Sequence, residues 1–259
     1  MYGPWAVVTG ASDGIGREFA RSLAKEGFKL VLVARRRQAL ESVAQELPGT
    51  EVRVIDADLS TGEGLARVEA ETKPLDVGLL VASAGFGTSG AFLDNALEVE
   101  LSMLDVNCRA VAAMSHAFGK RLVARGRGGI VLLSSLVAFQ GVRHAANYAA
   151  TKAWVQSFAE GLALELGPLG VDVVASAPGP VRSGFGERAN MQMSMSATPV
   201  TVATATLAAL PRGGTVRPGF LAKFLEWSLM FLPRWGRVRV MSMVMGGMTK
   251  RHALAATRS

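Results

Sequence analysis

Cysteine and histidine are scarce in this 259-residue chain, which limits the chemistry available to it. Cys108 is the single cysteine, so an intrachain disulfide is excluded and the reducing cytoplasm is the expected compartment. The histidines are His116, His144 and His252, and none lies at a metal-ligand spacing from another or from the cysteine. We therefore predict no metal site.

Long apolar runs are also missing. The longest nearly apolar run, FLAKFLEWSLMFL, has 13 residues and includes Lys223 and Glu226, whereas a membrane-spanning helix needs about 20 apolar residues. A strand-like run, WAVVTG, already starts at Trp5 and leaves no room for a signal peptide in this sequence. We expect no transmembrane segment.

A net positive charge is lacking everywhere except at the end of the chain. From Pro211 onward nine Lys or Arg residues accompany one acidic residue, Glu226, whereas the first 210 residues carry 19 basic and 20 acidic groups. A nucleic-acid-binding fold would carry a basic face on its main domain, so we expect no nucleic-acid partner. The basic tail leaves an anionic partner open, including peripheral contact with a membrane.

Short β-branched runs alternate with helical stretches through the first two thirds of the chain. Runs such as KLVLVAR and GGIVLLSS are continuously apolar, which is typical of parallel strands covered on both faces. The alternation predicts a single Rossmann-type α/β domain over residues 1–259, with a doubly wound parallel sheet and helices on both faces. Residues 184–210 lose this pattern and are predicted to be a substrate lid. Residues 211–259 are predicted to be a C-terminal helical extension.

The stretch TGASDGIG joins the first strand to the first helix and contains three glycines. Glycine permits a sharp turn and a close approach of the backbone to a pyrophosphate. The following helix N-terminus offers free N–H groups and its positive dipole end. We predict a dinucleotide-binding loop made of Gly10, Ser12, Asp13, Gly14, Ile15 and Gly16.

The second strand ends in VARRR, where the choice between NAD and NADP is made. Ala34 occupies the place where an acidic residue would bind the ribose 2′-hydroxyl of NAD. Arg35 and Arg36 follow, and a guanidinium suits the 2′-phosphate of NADP through charge-assisted, bidentate hydrogen bonds. The sequence therefore predicts NADP(H) as the cofactor.

The stretch NYAATKAW places Tyr148 and Lys152 four residues apart, on one face of a predicted helix. A phenol with a pKa of about 10 exchanges protons poorly at neutral pH. A nearby ammonium group would lower that pKa towards a useful range. Ser135 ends the strand GGIVLLSS at the sheet edge where α/β proteins bind ligands, and its hydroxyl is placed to bond a substrate carbonyl.

These motifs, together with VNCRA and APGPVRS, resemble the short-chain dehydrogenase/reductase family over about residues 5–183. The resemblance implies that Tyr148 is the general acid/base, that Lys152 lowers its pKa and binds the nicotinamide ribose, and that Ser135 positions the carbonyl. Asn107 matches the asparagine that supports a water in the family's proton relay. The resemblance implies further cofactor contacts at Asp58, Leu59, Ala84, Gly85, Tyr148, Lys152, Pro178, Gly179, Val181 and Ser183.

Two positions depart from the family pattern. The stretch ASAG stands where the family has N-N-A-G, so a structural asparagine is missing. Ser183 replaces the usual threonine after the P-G motif and keeps its hydroxyl. Neither change removes a catalytic group.

Residues 5–36 and the tail FLPRWGRVRVMSMVMGGMTKRH are similar to the 17-beta-hydroxysteroid dehydrogenase and very-long-chain 3-oxoacyl-CoA reductase branch. Members of that branch reduce ketones on bulky apolar substrates with NADPH. The resemblance implies a ketoreductase of lipid metabolism acting on a steroid-like or acyl-chain substrate, as a homodimer or homotetramer. Two alternatives stay open: a 3-oxoacyl thioester reductase of fatty-acid metabolism, and a non-catalytic NADP(H)-binding sensor or scaffold.

The tail itself has two alternative roles, closing the substrate pocket or docking the enzyme to a membrane or partner. We expect Trp227 and its Phe and Leu neighbours to pack on the body or roof the pocket. Arg234, Arg237 and Arg239 are expected to face water, an acidic part of the substrate or lipid headgroups. His144, just ahead of the tyrosine, fits either a plain loop or the mouth of the pocket.

Overall fold

The structure is a computed structural model that describes residues 2–182, 184, 186, 197–219, 228 and 231–248. Its parallel strands form one sheet in the order β3-β2-β1-β4-β5-β6-β7. The strands are β1 Trp5–Thr9, β2 Lys29–Ala34, β3 Val52–Asp56, β4 Val77–Ala82, β5 Gly128–Leu133, β6 Val171–Ser176 and β7 Gly214–Val216. The predicted doubly wound parallel sheet is confirmed. The short edge strand β7 was not foreseen.

Helices cover both faces of this sheet. They are α1 Gly14–Lys25, α2 Arg37–Gln45, α3 Gly62–Thr72, α4 Leu97–Leu104, α5 Ala110–Arg125, α6 Ala146–Leu166, α7 Pro199–Ala209 and α8 Arg234–Met248, with a π-helical turn, Asp105–Arg109, joining α4 to α5. One apolar core packs α3, α5 and α6 against the sheet, and a second packs α1, α2 and α7 against its other face. Because both faces are covered, β1, β4 and β5 are buried at every position.

The strand order reverses between β1 and β4, and this reversal locates the ligand site. β1 pairs on one side with β2 and on the other with β4, so the connections after β1 and β4 run to opposite faces of the sheet. A crevice opens at the carboxyl ends of strands where the order reverses in this way, and α/β proteins bind their ligands there. The glycine loop after β1 borders this crevice.

Helix α7 forms the second half of residues 184–210, the predicted lid, and packs into the core. Val202 and Ala203 are fully buried, and the Thr206 hydroxyl lies 2.7 Å from that of Ser176 in β6. The helix also packs against α1. The methionine-rich stretch MQMSM of the proposed lid lies outside the described residues.

Candidate active site

The glycine loop folds against the end of β4. Gly10 has φ +65°, and a Cβ there would lie 2.9 Å from the Cα of Ala84. A Cβ on Gly16 would lie 2.3 Å from the carbonyl oxygen of Gly10, so neither position accepts a side chain. The Asp13 carboxylate caps α1 by accepting from the Gly14 N–H at 2.7 Å. This side-chain-free cradle at a helix N-terminus fits a pyrophosphate group.

Arg35 and Arg36 follow β2 at the same edge of the sheet, and both are exposed. Burial raises the pKa of Asp58, but hydrogen bonds from Ser60 and the charge of Arg35 outweigh it, leaving that pKa below its ordinary value. Leu59 beside it is buried. An anionic carboxylate and two solvent-facing guanidinium groups therefore lie near one another beyond the ends of β2 and β3.

Arg37, the third arginine of this run, is engaged elsewhere. Its guanidinium bonds Glu41 on the next turn of α2 at 2.8 Å and Asp56 in β3 at 3.1 Å. Arg37 thus supports the start of α2, whereas the two preceding arginines remain oriented towards solvent.

Asn107 lies in the π-helical turn between α4 and α5 and is buried. Its amide donates to the carbonyl of Phe86 (2.9 Å) and to the hydroxyl of Thr151 (3.0 Å), and its oxygen accepts from the Phe86 N–H (3.1 Å). A Cβ on Gly85 would lie 3.0 Å from the Asn107 Oδ1 and 3.4 Å from the Lys152 Nζ. The asparagine and the lysine therefore flank one glycine, where an added Cβ would fit tightly against both side chains.

Tyr148 is buried at the start of α6, and its phenol hydrogen-bonds the hydroxyl of Ser135. Ser135 itself begins a 3-10 turn, Leu136–Phe139, directly after β5. Burial raises the pKa of Tyr148 to about 12, and the bond from Ser135 lowers it in part. Lys152 lies one turn further along α6, with its ammonium 5.9 Å from the phenol ring centre.

Burial, rather than the lysine, sets the direction of the tyrosine pKa in this structure. Lys152 is itself buried, and burial lowers its pKa to about 8. Its Nζ donates to the carbonyl oxygen of Leu133 at 2.7 Å, so the ammonium is held towards β5. Loss of hydration dominates at both groups and disfavours the charged form of each.

The P-G segment after β6 lies beside the serine. The carbonyl of Pro178 accepts from the Leu136 N–H at 2.9 Å, which ties this segment to the turn that begins at Ser135. Val181 is buried and Gly179 is partly exposed. Ser183, the last predicted cofactor contact, lies outside the described residues.

Helix α8 of the C-terminal extension packs against the catalytic region. Met241 is buried in an apolar cluster that includes Tyr148, Val142 and Met103. The hydroxyl of Ser242 accepts from the backbone N–H of Arg143 at 3.1 Å. The described part of the tail therefore forms a wall beside the tyrosine.

The arginines of α8 only partly follow the prediction that they face water, substrate or lipid. Arg234 and Arg239 are exposed, and the Arg239 guanidinium stacks 5.3 Å from the centre of the Trp235 ring. Arg237 does not face water freely, because it is partly buried and donates to the carbonyl of Leu232 at 2.8 Å. Trp227 lies outside the described residues.

Sequence reasoning did not find Met241, nor the buried Glu100 of α4 that accepts a hydrogen bond from Asn147. No local signal marks either residue, since one belongs to a methionine-rich tail and the other to an ordinary acidic helix. Only the packing of α4 and α8 around α6 brings these two residues close to Tyr148.

Two general properties concern the described part of the chain alone. No cluster of His, Cys, Asp or Glu side chains within it is arranged to hold a metal ion. Within the same residues, no helix combines the length and the apolar character needed to cross a bilayer.

The fold, with its glycine loop at the reversal of strand order, is that of a dinucleotide-binding enzyme. A sequence model of the short chain dehydrogenase family matches residues 4–194. A very-long-chain 3-oxoacyl-CoA reductase from Podospora anserina is 38% identical over 179 residues, or 66% of this chain and 53% of that protein. A 7beta-hydroxysteroid dehydrogenase from Clostridium sardiniense is 34% identical over 181 residues, or 69% of each chain.

A solved structure agrees over the whole chain. The short-chain dehydrogenase from Sphingobium yanoikuyae in complex with NADPH has a TM-score of 0.80 and 31% identity, covering 99% of this chain and all of that one. The chain belongs to the short-chain dehydrogenase family. It spans about half the length of the Podospora relative. The predicted family is confirmed, and the NADPH complex of the Sphingobium relative agrees with the predicted cofactor.

Proposed function

We propose that this protein is an NADPH-dependent ketoreductase that reduces a ketone flanked by bulky apolar groups. The observation that carries the proposal is the meeting of Ser135, Tyr148 and an apolar wall that includes Met241 at one edge of the sheet. The 3-oxoacyl-CoA reductase and hydroxysteroid dehydrogenase relatives, by their names, act on substrates with large apolar portions. That likeness supports the same substrate class here.

The cofactor is bound by groups that fit its two ends. The glycine loop around Gly10 and Gly16 receives the pyrophosphate, because only bare backbone fits there. Arg35 and Arg36 receive the 2′-phosphate, because they are exposed at the end of β2 and suit bidentate phosphate binding. When bound, NADPH supplies the hydride that adds to the carbonyl carbon.

Tyr148 gives its phenol proton to the carbonyl oxygen in reduction. Its pKa, raised by burial, keeps the phenol protonated at neutral pH, which suits a proton donor. Ser135 donates a hydrogen bond that orients the carbonyl. Lys152 and Asn107, which flank Gly85, hold the ribose and a relay water that restores the proton to the tyrosine.

A 3-oxoacyl thioester reductase is the main alternative, since the tail carries nine basic residues after Pro211 that suit the phosphates of coenzyme A. A non-catalytic sensor that only binds NADP(H) is the other. The intact set of Asn107, Ser135, Tyr148 and Lys152 speaks against the sensor, because a binding module needs no positioned phenol.

The test is NADPH oxidation by the purified full-length chain against three substrate groups. These groups are steroid-like ketones, long-chain 3-oxoacyl-CoA thioesters and small ketones as controls. We expect the highest kcat/KM for a bulky apolar ketone, with little dependence on salt. A preference for the thioesters that weakens as salt rises favours the alternative reductase. NADPH binding without turnover on any group overturns both enzymes in favour of the sensor.

The proposed homodimer or homotetramer uses the outer faces of α4 and α6. Leu97, Leu101, Trp154 and Leu164 are large apolar side chains, between 38% and 81% exposed, on these two helices. Covering such side chains in a second subunit removes them from water. Analytical ultracentrifugation of wild type and Leu101→Glu tests this, and equal sedimentation of the two contradicts the proposed interface.

We further propose that the tail touches anionic membranes from the cytoplasm. Phe231, Trp235 and Met243 are between 64% and 73% exposed and recur every four or eight residues, with Arg239 stacked among them. Exposed aromatic and basic groups of this kind suit a lipid interface. Co-sedimentation with anionic vesicles should fall for Trp235→Ala, and equal sedimentation with neutral vesicles contradicts the proposal.

A further inference from the structure

A buried carboxylate that the proposed chemistry does not use lies close to the catalytic tyrosine. Glu100 of α4 is only 3% exposed. Its Oε1 accepts from the Thr88 hydroxyl (2.7 Å) and from the Asn95 amide (2.8 Å), and its Oε2 accepts from the Asn147 amide (2.6 Å). The Asn147 amide also donates to the backbone carbonyl of Glu100 at 3.0 Å. All three donors are neutral side chains.

These donors belong to the two segments that flank the candidate pocket. Thr88 and Asn95 lie in the β4–α4 loop, residues 83–96, and Asn147 directly precedes Tyr148 in the first turn of α6. The β4–α4 loop also carries Phe86, which packs against the apolar cluster that includes the tyrosine. Glu100 therefore joins one wall of the pocket to the helix that presents the phenol.

A backbone hydrogen bond also joins the β4–α4 loop to the start of α6, and it involves a residue with an unfavourable backbone conformation. The N–H of Gly90 in the β4–α4 loop donates to the carbonyl of His144 at 3.0 Å. His144 has φ +64°, a backbone conformation that residues other than glycine seldom adopt. The local backbone preference of His144 thus yields to the pairing of the loop with the start of α6.

Burying a carboxylate is unfavourable unless hydrogen bonds replace its water. Charge-assisted bonds to Thr88, Asn95 and Asn147 replace it here. A well-packed apolar side chain would avoid the desolvation cost altogether, so the stability of α4 alone does not require the charge. What the carboxylate adds is a fixed relative position of two segments, because one oxygen bonds the β4–α4 loop and the other bonds the start of α6.

We propose that Glu100 is a positioning residue that fixes the β4–α4 loop against the start of α6 and so sets how the substrate ketone meets Tyr148. This inference rests on the proposed ketoreductase function. Glu100 acts through the loop and through Asn147, without touching the substrate. Its loss is expected to impair recognition of bulky ketones more than that of small ones.

Glu100→Gln is the informative variant, because its amide nitrogen turns one acceptor into a donor that faces another donor. Glu98→Gln is the matched control, an exposed glutamate on the same helix. For Glu100→Gln we expect kcat/KM for the best bulky ketone to fall about 10-fold or more, with less than a 3-fold fall for a small ketone. NADPH affinity should stay within 2-fold, and Glu98→Gln should match wild type. Equal losses on both ketones, or none, overturn the proposal.

Thr88→Val removes one donor while keeping the side-chain shape, and serves if Glu100→Gln does not fold. We expect it to change the bulky-to-small ratio in the same direction by about 3-fold, and an unchanged ratio overturns the proposal. Hydrogen exchange separates this inference from the proposed function, since it needs no substrate. Faster exchange confined to residues 83–96 and 144–148 is expected in either variant, even if wild type reduces no ketone. Unchanged exchange there overturns the inference by itself.

Discussion

The proposed cofactor side of the crevice is built from residues close together in sequence, whereas the proposed substrate side is assembled from segments far apart in the chain. The glycine loop completes its cradle between Gly10 and Gly16, within one turn and one helix start. The substrate side brings Met103, Val142 and Met241 into one cluster around Tyr148. The first side is a local backbone shape, and the second is a product of tertiary packing.

This difference teaches where each kind of specificity is encoded. Binding a pyrophosphate requires an absence of side chains and free N–H groups, which a short motif supplies. Enclosing an apolar substrate requires shape, which depends on side chains from several elements. Changes on the cofactor side should therefore act on NADPH affinity, and changes on the substrate side should act on the choice of ketone.

Tyr148→Phe should have the largest effect, because the phenol proton is needed whichever ketone is bound. We expect kcat to fall about 10³-fold, within the range for loss of a general acid, while NADPH affinity stays within 2-fold. Stopped-flow measurement of a single turnover checks the chemical step, and fluorescence titration checks the affinity. A variant retaining a tenth of the wild-type kcat would rule out the tyrosine as proton donor.

Gly16→Ala should break the cofactor side alone. Its Cβ would lie 2.3 Å from the Gly10 carbonyl, so the loop must shift, and we expect NADPH affinity to fall about 100-fold. Gly161→Ala in α6 is the control, since its Cβ meets no atom within 4 Å and alanine favours helix by roughly 0.5–1 kcal/mol. Isothermal titration with NADPH measures both variants. Equal affinities would remove the glycine loop from the cofactor site.

The pH dependence of reduction should report Lys152, which in the proposed function helps to hold the ribose and the relay water that returns the proton to Tyr148. Burial lowers its pKa from an ordinary value of 10.5 to about 8, so the ammonium loses its proton as pH rises through about 8. With NADPH saturating, we expect kcat/KM to be level below that pH and to fall about 10-fold for each further unit. Lys152→Arg should move this fall to higher pH, because a guanidinium stays charged. Identical pH profiles for wild type and Lys152→Arg would contradict the assignment of this fall to Lys152.

Met241→Ala should have the smallest effect and act on the substrate side only. Removing a buried methionine leaves a cavity that costs about 2–4 kcal/mol of stability, and we expect kcat/KM for the best bulky ketone to fall about 5-fold. Met243→Ala on the same helix is the control, since Met243 is 70% exposed. Steady-state kinetics and thermal unfolding compare the two. Identical kinetics for both variants would remove α8 from the pocket wall.

Much of the fold could be predicted from the sequence because its signals are local. Continuous β-branched runs predicted six of the strands, and the glycine spacing located the turn after β1. The three-residue strand β7 was missed, because Gly214–Val216 is too short to show a pattern. Helix α7 was taken as part of a lid, because its alternating Thr and Ala side chains show no helical periodicity, and only its packing on α1 places it in the core.

The candidate site likewise contains some residues with a local sequence signal and others that only tertiary packing reveals. Tyr148 and Lys152 could be paired from sequence because residues four apart share a helix face. Whether the pKa of the tyrosine is raised or lowered could not be predicted from sequence. It depends on burial under α8 and its neighbours and on where the lysine points. Glu100 and Met241 give no sequence signal, since Glu100 meets Asn147 of α6 and Met241 meets Tyr148 only in the folded chain.

The sequence by itself determined the dinucleotide-binding fold and supplied the predictions of NADP(H) as cofactor and of the reacting side chains. These follow from backbone geometry, from charge at a strand end and from helical spacing, all of which act over a few residues. Tertiary structure alone decided that α8 packs beside Tyr148, that burial raises the pKa of that phenol and that Glu100 bonds to both the β4–α4 loop and α6. Desolvation and packing are properties of the assembled molecule, because they depend on what covers each group.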